Sequence, residues 1–437
     1  MPLTSSEFRQ LMTPFAPFGT PPTIAVATSG GPDSLALVLL CHQWAMEQGG
    51  KAIAITVDHQ LREESAAEAS QVKIWLEARG LEHHILTWQR AADEEILHSA
   101  IQAAAREARY QLLSRWCIDH GVQHLLTAHH AQDQLETFMI RLSKGSGLKG
   151  LTGIQGQVLT HFGRILRPLL TVDANRLKAT LKHFNQPYLL DPSNENENFT
   201  RVRWRQLLPS LEAEGLTPLS IQESLDRLNH AQRIIDQYVS YILNKHAALT
   251  PYGYAILKKE ALQETLETFE EMLKNLLATM STQRYPVRRQ AVHRAIDFIK
   301  LDKSFTLGGC QIINKSKEWW IVREPAAIGN DVPIQKSGSY LWDGRFIVDV
   351  SHNMPCRISA LGEHGIQLLE PDARKRLKMI PHIVLQTLPA LWKGGELIDP
   401  LPSFKFTPPF HLFSNAHLVA KSHYPNIGSS DQKKFSL

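Results

Sequence analysis

Six residues, Ser29-Gly30-Gly31-Pro32-Asp33-Ser34, stand between an apolar run, IAVAT at 24–28, and a helical pattern, LALVLLCHQWAMEQ. Their types suit the binding of an anion. Two glycines let the backbone turn sharply and approach a ligand closely. Pro32 fits a first helical turn, where its missing N–H costs little. The free amides of such a helix start, with the helix dipole behind them, favour negative charge. Ser29 and Ser34 add hydroxyl donors. Asp33 by itself repels a phosphate, so a carboxylate there makes sense where a divalent cation bridges the two. The competing reading is a Gly-Gly turn with an Asp cap. No GxxxxGK[ST] and no well-placed GxGxxG occurs, and a loop without the Walker lysine points to chemistry other than γ-phosphate transfer.

Other residues carry chemical potential by type and spacing. Asp133 and Glu136 are three apart at a predicted helix start and share a face, although the helix dipole alone also favours acids there. Arg106 and Arg109 are three apart in a long helical pattern. Arg201, Arg203 and Arg205 alternate, and in an extended segment they would point one way and repel unless an anion lay among them. His129 and His130, read as adjacent strand residues, face opposite sides and cannot share a role. Without a Cys or a third ligand at suitable spacing, zinc is not expected. Asp58 and His59 close a predicted strand. Trp319 and Trp320 could stack on bases, but hairpin core is the expectation for them.

The elements that must position these residues follow from periodicity. IAVAT, AIAITV at 52–57, HHILTW at 83–88 and HLLTAHH at 124–130 read as strands. Helical patterns separate them: one after Pro32, one over about 65–79, one over roughly 94–119, and AQDQLETFMIRLS. Strands alternating with helices predict parallel pairing in an open, doubly wound α/β sheet. Ligands collect beyond the carboxyl ends of such strands, where Ser29–Ser34, Asp58–His59 and His129–Asp133 fall. From 219 to 300 the apolar positions keep helical spacing. From Phe305 onward the chain reads as β, with hairpins at IINKSKEWWIV and at YLWDGRFIV, the second turning at Asp343-Gly344. The last twenty residues, rich in Ser, Lys and Asn, read as loosely held.

Composition sets outer limits. The 437 residues are 43% hydrophobic and 21% charged, which excludes collagen-like, wholly disordered and disulfide-scaffold chains. Cys41, Cys117, Cys310 and Cys356 form no CxxC pair, so a zinc ribbon or closely spaced iron–sulfur site is not expected. The first residues lack signal-peptide order, and no run nears 18 apolar residues; a cytoplasmic location is the expectation. Net charge is +4. Between Arg141 and Lys182, however, eight basic residues meet a single acid, Asp173, so that stretch is +7 and the remainder −3. A local excess of that kind suits an RNA backbone.

SGGxDS after a first strand resembles the signature of the PP-loop ATP pyrophosphatases. Further stretches are similar to the tRNA(Ile)-lysidine synthase family within them: VDHQLREES at 57–65, AAAREARYQLL at 103–113, TAHHAQDQLETFMIRLSKGSGLKGLTGI at 127–154, RPLL at 167–170, DPSN at 191–194 and RVRWRQLLPSL at 201–211. They keep the family's order over roughly 20–215. Gln132 stands where the family often has an aspartate, and Val202 and Trp204 replace its usual Asn and Ile.

The resemblance implies ATP bound by Ser29, Gly30, Gly31, Pro32, Asp33, Ser34, Asp58 and His59, with Mg²⁺ at Asp33. It implies Asp33, Arg109, Asp133 and Glu136 as catalytic residues, and Arg106, Arg201, Arg203 and Arg205 as tRNA or phosphate ligands. The implied reaction joins free L-lysine to the wobble cytidine of a tRNA(Ile) with a CAU anticodon, through an adenylated cytidine. Residues 1–215 would form the catalytic domain, 216–302 a helical linker or tRNA-binding domain, and 303–437 a smaller β-rich domain, also a candidate for tRNA. A PP-loop tRNA thiolase and a nucleotide sensor without turnover are the alternatives. Dimerisation, and which residues select lysine, are left open by the sequence.

Overall fold

The computed structural model describes residues 1–89, 101–190, 200–282, 287–351 and 353–407. The DPSN motif at 191–194, the expected helix start at 94–100 and the last twenty residues lie outside the described residues. The chain forms two compact units, Met1–Ile234 and Ile235–Leu437.

In the first unit, α1 (Ser5–Met12) precedes β1 (Thr23–Ala27), α2 (Pro32–Met46), β2 (Lys51–Asp58), α3 (Ser65–Glu77), β3 (Glu82–Thr87) and α4 (Ile101–Asp119). Then come β4 (His124–Leu126), α5 (Ala131–Ser143), α6 (Leu148–Leu151), β5 (Gln157–Thr160), β6 (Gly163–Leu166), α7 (Ala174–His183) and α8 (Thr200–Ala213). α9 (Pro218–His246) runs past the unit's end. The sheet order is β3-β2-β1-β4-β6-β5. All neighbours pair in parallel except the edge strand β5, which runs antiparallel to β6. This is the doubly wound, mostly parallel sheet that the sequence predicts.

The two-residue strand period divides the apolar side chains between two cores. Ile24, Val26, Ala52 and Ala54 pack with α1, α2 and α7 on one face, whereas Ala25, Ile53 and Ile55 meet Leu113, Trp116 and Cys117 of α4 on the other. Each fully buried large apolar side chain contributes about 1.5–3 kcal/mol, so both faces fix the register of the central strands. The chain leaves β1 toward β2 and β3, then returns to β4 on β1's other side. A crevice therefore opens beyond β1 and β4, at the topological switch point.

Two local expectations differ from the structure. HLLTAHH is strand only over His124–Leu126. Thr127 N still donates to Leu166 O, but Ala131 N donates to Val172 O as α5 begins, so His129 and His130 lie in the connection between β4 and α5, His130 capping the helix, and not in a strand. Arg201, Arg203 and Arg205 lie in α8, which is helical, not extended. Successive alternate arginines are thus about 200° apart around the axis, and they do different things.

In the second unit the expected all-helical stretch is interrupted by a hairpin, β7 (Ala247–Leu249) and β8 (Tyr254–Lys258), around Pro251 and Gly253. These strands join β9 (Phe305–Leu307), β10 (Cys310–Asn314) and β11 (Glu318–Arg323) in the order β7-β8-β11-β10-β9. Helices α10 (Leu266–Ser281) and α11 (Arg289–Lys300) share one core with them, so helices and strands on either side of residue 302 bury the same apolar surface. Two further antiparallel sheets of four and three strands follow. Both expected hairpins form, the second turning where Asp343 and Gly344 take positive φ. Trp319 is buried in the core, as expected.

Candidate active site

A cavity of about 630 Å³ opens at the carboxyl ends of β1, β2 and β4. The SGGPDS loop forms one wall. Gly30 has φ +84°, and a Cβ there would lie 2.7 Å from Val72 Cγ2 and 2.8 Å from Leu189 Cδ1. That glycine is demanded by the fold itself. Gly31 is different: it caps α2 with φ −73°, and a Cβ would meet only Ser29 Oγ, at 3.6 Å. Among the described residues nothing requires a glycine at 31, and Gly31 lines the cavity. Ser34 is buried and braces the loop: its hydroxyl accepts from Ser29 N at 3.1 Å and lies 3.0 Å from Gly31 O as donor. Ser29 stays exposed at the cavity. No side chain caps α2, so its first amides are free for an anion.

Asp33 sits in the first turn of α2, its Oδ2 3.5 Å from His130 Nε2, and that nitrogen is 3.7 Å from Asp133 Oδ2. Asp133 also accepts from His130 N at 3.1 Å, closing the start of α5. Burial pushes the His130 imidazole down, but Asp33, Asp133 and Glu136 outweigh it and hold the ring above its ordinary value. One turn on, Glu136 has no exposed surface; it accepts from Arg205 Nε, which clamps α8 onto α5. Burial raises the Glu136 carboxyl, with Arg205 pulling it the other way. Leu135, Leu208, Ile221 and Leu225 form the apolar seam around this pair. Asp133 therefore faces the cavity and Glu136 lies behind it.

The opposite wall is cationic. Arg106, Arg109 and Arg201 line the cavity, and none has a carboxylate partner among the described residues. Burial holds Arg109 below its ordinary value, aided by Arg106 and Arg201 nearby. His129 Nδ1 lies 3.0 Å from Thr127 Oγ1. Burial and then Arg167 push the His129 ring down to about 3, so it is neutral in use. Asp58 is buried at the end of β2 and its Oδ1 accepts from Gln60 N at 2.9 Å, setting the turn that presents His59. Arg203 reaches Thr200 Oγ1 and does not line the cavity.

Buried polar atoms are normally hydrogen-bonded. Around this cavity Asp33 Oδ1, His59 Nδ1, Tyr110 OH and His130 Nδ1 have no partner among the described residues. Four such atoms therefore gather around one cavity, among the described residues.

Residues 3–211 match the PP-loop domain. The tRNA(Ile)-lysidine synthase of Ruegeria pomeroyi is 30% identical over 385 residues, covering 86% of this chain and 88% of that protein. That of Orientia tsutsugamushi is 31% identical over 426 residues, 92% and 93% of the two chains. The chain belongs to the tRNA(Ile)-lysidine synthase family. The enzyme of the same name from Rhodopseudomonas palustris is 42% identical over 221 residues, half of this chain and 62% of that one.

Departures from the lysidine synthase motifs have structural uses here. Gln132 Oε1 accepts from Ala174 N at 3.2 Å, so it ties α5 to the start of α7 and does not line the cavity. Val202 is buried on α8. The basic stretch between 141 and 182 also changes meaning. Arg141 donates to Gly150 O at 2.7 Å and Gly153 O at 2.8 Å. Arg164 donates to Pro17 O, Arg167 to Gln155 O, and Arg176 to Glu7 Oε1 and the backbone of Pro2. These four arginines brace the unit through bonds to its own atoms, Arg167 from a buried position. Only Lys144, Lys149, Lys178 and Lys182 stand exposed as surface charge.

Proposed function

We propose that this family member joins free L-lysine to C2 of the wobble cytidine, position 34, of a tRNA(Ile) with a CAU anticodon, changing the codon read from AUG to AUA. As a PP-loop enzyme of this family it binds ATP and modifies tRNA. The observation that carries the reading is the pairing of a free helix start with three uncompensated guanidiniums across one cavity, a seat for a polyanion.

The chemistry needs an activated leaving group, because a ring carbonyl oxygen departs poorly. The cytosine O2 attacks the α-phosphorus of ATP, the bond to the bridging oxygen breaks, and pyrophosphate leaves. The lysine amine, having lost its proton, then adds to C2, and the C2–O bond breaks as AMP leaves. Ser29 to Ser34 hold the phosphates through backbone amides; Arg109, with Arg106 or Arg201, neutralises charge developing on them. Asp133, at the cavity wall, is placed to orient the incoming amine or cytidine. Glu136 acts through Arg205 and α8. Asp33 offers a carboxylate oxygen without a partner, and no group of three or more His, Cys, Asp or Glu among the described residues could hold a metal alone. Asp33 would be the residue to hold Mg²⁺, which would supply neutralisation of phosphate charge.

Burial pushes the Cys117 thiol up to about 12 and Cys41 higher, and neither lines the cavity; this argues against the thiolase reading. Among the described residues no helix is long and apolar enough to cross a membrane. The test is incubation with ATP, Mg²⁺, radiolabelled lysine and unmodified tRNA. Label entering the tRNA supports the ligase. Sulfur transfer from a persulfide donor, or nucleotide binding without pyrophosphate release, would replace it.

A further inference from the structure

The arginine wall poses a physical problem that the reaction does not answer. Arg106 and Arg109 share one face of α4 and point into the same cavity as Arg201, and Arg167 lies close by. Like charges this near repel, and no carboxylate among the described residues pairs with Arg106, Arg109 or Arg201. Among the described residues, a group other than an acid must hold them in place.

Tyr110 is the group in position to do so. It follows Arg109 directly and stands four residues beyond Arg106, one turn along α4. The guanidinium carbons of Arg106 and Arg109 lie over its ring, 5.3 Å and 5.5 Å from the centroid. Both distances are within the reach of a cation–π contact. The ring is itself fixed, packed against the core cluster of Ile53, Ile55, Leu113 and Trp116. Its hydroxyl is buried without a hydrogen bond of regular geometry among the described residues, with Arg109 and Arg167 beside it. Burial pushes the phenol up, yet Arg106, Arg167 and Arg109 together bring it below its ordinary value, as expected of a ring surrounded by cations.

We propose that Tyr110 is a positioning residue: the face of its ring holds Arg106 and Arg109 as a preset pair and so fixes where they meet the phosphates of ATP. The inference rests on reading this cavity as an ATP site. Its physical content is preorganisation. A guanidinium already seated on a ring loses less freedom on meeting a phosphate than one that must be gathered from solvent.

The test separates the ring face from the hydroxyl and from bulk. Tyr110→Phe keeps the face and removes the oxygen. A trifluorinated phenylalanine at position 110 keeps the shape but withdraws the negative charge from the face. Affinity for a non-hydrolysable ATP analogue with Mg²⁺ is measured by calorimetry on the full chain, beside tRNA affinity and the melting temperature. Tyr110→Phe should stay within about threefold of the parent, whereas the fluorinated ring should bind the analogue about tenfold more weakly. It should also raise KM for ATP while tRNA affinity and melting stay level, which a merely structural role would not produce. Equal ATP affinity in both variants overturns the proposal. So does an equal loss in both, which would assign the role to the hydroxyl. If the parent protein binds no nucleotide, the ATP site itself has failed.

Discussion

Arg205→Ala probes how the first unit carries a buried charge beside its active site. Glu136 has 0% of its side chain exposed and Arg205 39%. Removing the arginine leaves the carboxylate without its hydrogen-bonded cation, and its Oε2 already lacks a partner among the described residues. Breaking a buried pair from one side costs about 3–5 kcal/mol; the open side of Arg205 admits water, so about 2–3 kcal/mol is expected here. For a unit of this size that lowers Tm by roughly 5–10 °C. The pH dependence has a definite sign. Burial already holds the Glu136 carboxyl above its ordinary value, and loss of the guanidinium leaves it higher still. An acid whose folded pKa exceeds its unfolded value costs nothing when protonated in both states, and its full penalty appears only above the folded pKa. The deficit of Arg205→Ala against the parent should therefore be largest near pH 8 and shrink as pH falls toward about 4.3, the unperturbed glutamate value. Adding Glu136→Gln should recover stability at pH 8 and flatten the profile. Thermal melts of the parent, the single variant and the double variant across that range decide it. A deficit that grows on acidification, or a double variant no more stable than Arg205→Ala at pH 8, refutes the account.

The two loop glycines should part company. Gly30→Ala should lower Tm by several degrees because the fold itself demands φ +84° and has no room for a Cβ. Gly31→Ala should stay within about 1 kcal/mol of the parent but lose ATP affinity; melts and nucleotide titration read the two effects, and the opposite ordering would show that 31 is structural. Asp33→Ala should abolish pyrophosphate formation with an unchanged circular dichroism spectrum, and normal turnover in that variant would take Asp33 out of the mechanism. Among the basic residues, Lys149→Glu should weaken tRNA binding, with a shallower salt dependence, at constant Tm. Arg141→Ala should lower Tm by freeing the carbonyls of Gly150 and Gly153. A filter-binding salt titration beside melting curves separates the two roles, and an identical response of both variants would dissolve the distinction.

Much of the site was legible because topology dictates it. Ser29–Ser34, Asp58–His59 and Asp133 sit where parallel strands end, and alternating strand and helix patterns place those ends together whatever the loop details. Other features rest on packing that a linear pattern does not encode. α8 buries only Val202 and Leu208 among its described positions, too few to impress a helical period on RVRWRQLLPSL, and alternating arginines look equally natural in an extended chain. Glu136 reads as an ordinary helix-start acid until α8 is known to cover it. The hairpin at 247–258 hides in a region of helical spacing because its strands are short, and only Pro251 and Gly253 signal the turn.

The basic stretch shows why charge counted along a chain overstates an interface. A guanidinium makes its bonds with whatever acceptor lies in reach, and every residue carries a carbonyl, so the sequence offers no sign that Arg141, Arg164, Arg167 and Arg176 will be used internally. Apart from Glu7, which meets Arg176, their partners are backbone oxygens of Gly150, Gly153, Pro17, Gln155 and Pro2, which bear no charge to betray the pairing. The arginines of the cavity are the reverse case. They are fewer and come from two separate helices, yet Arg106, Arg109 and Arg201 converge on one space without a carboxylate among the described residues to answer them. What distinguishes a binding cation from a structural one is therefore an unmet hydrogen-bonding capacity in a shared space. By that measure the crevice beyond β1 and β4 is the anion site of the first unit, whereas half of the basic side chains between 141 and 182 are spent on contacts within the unit.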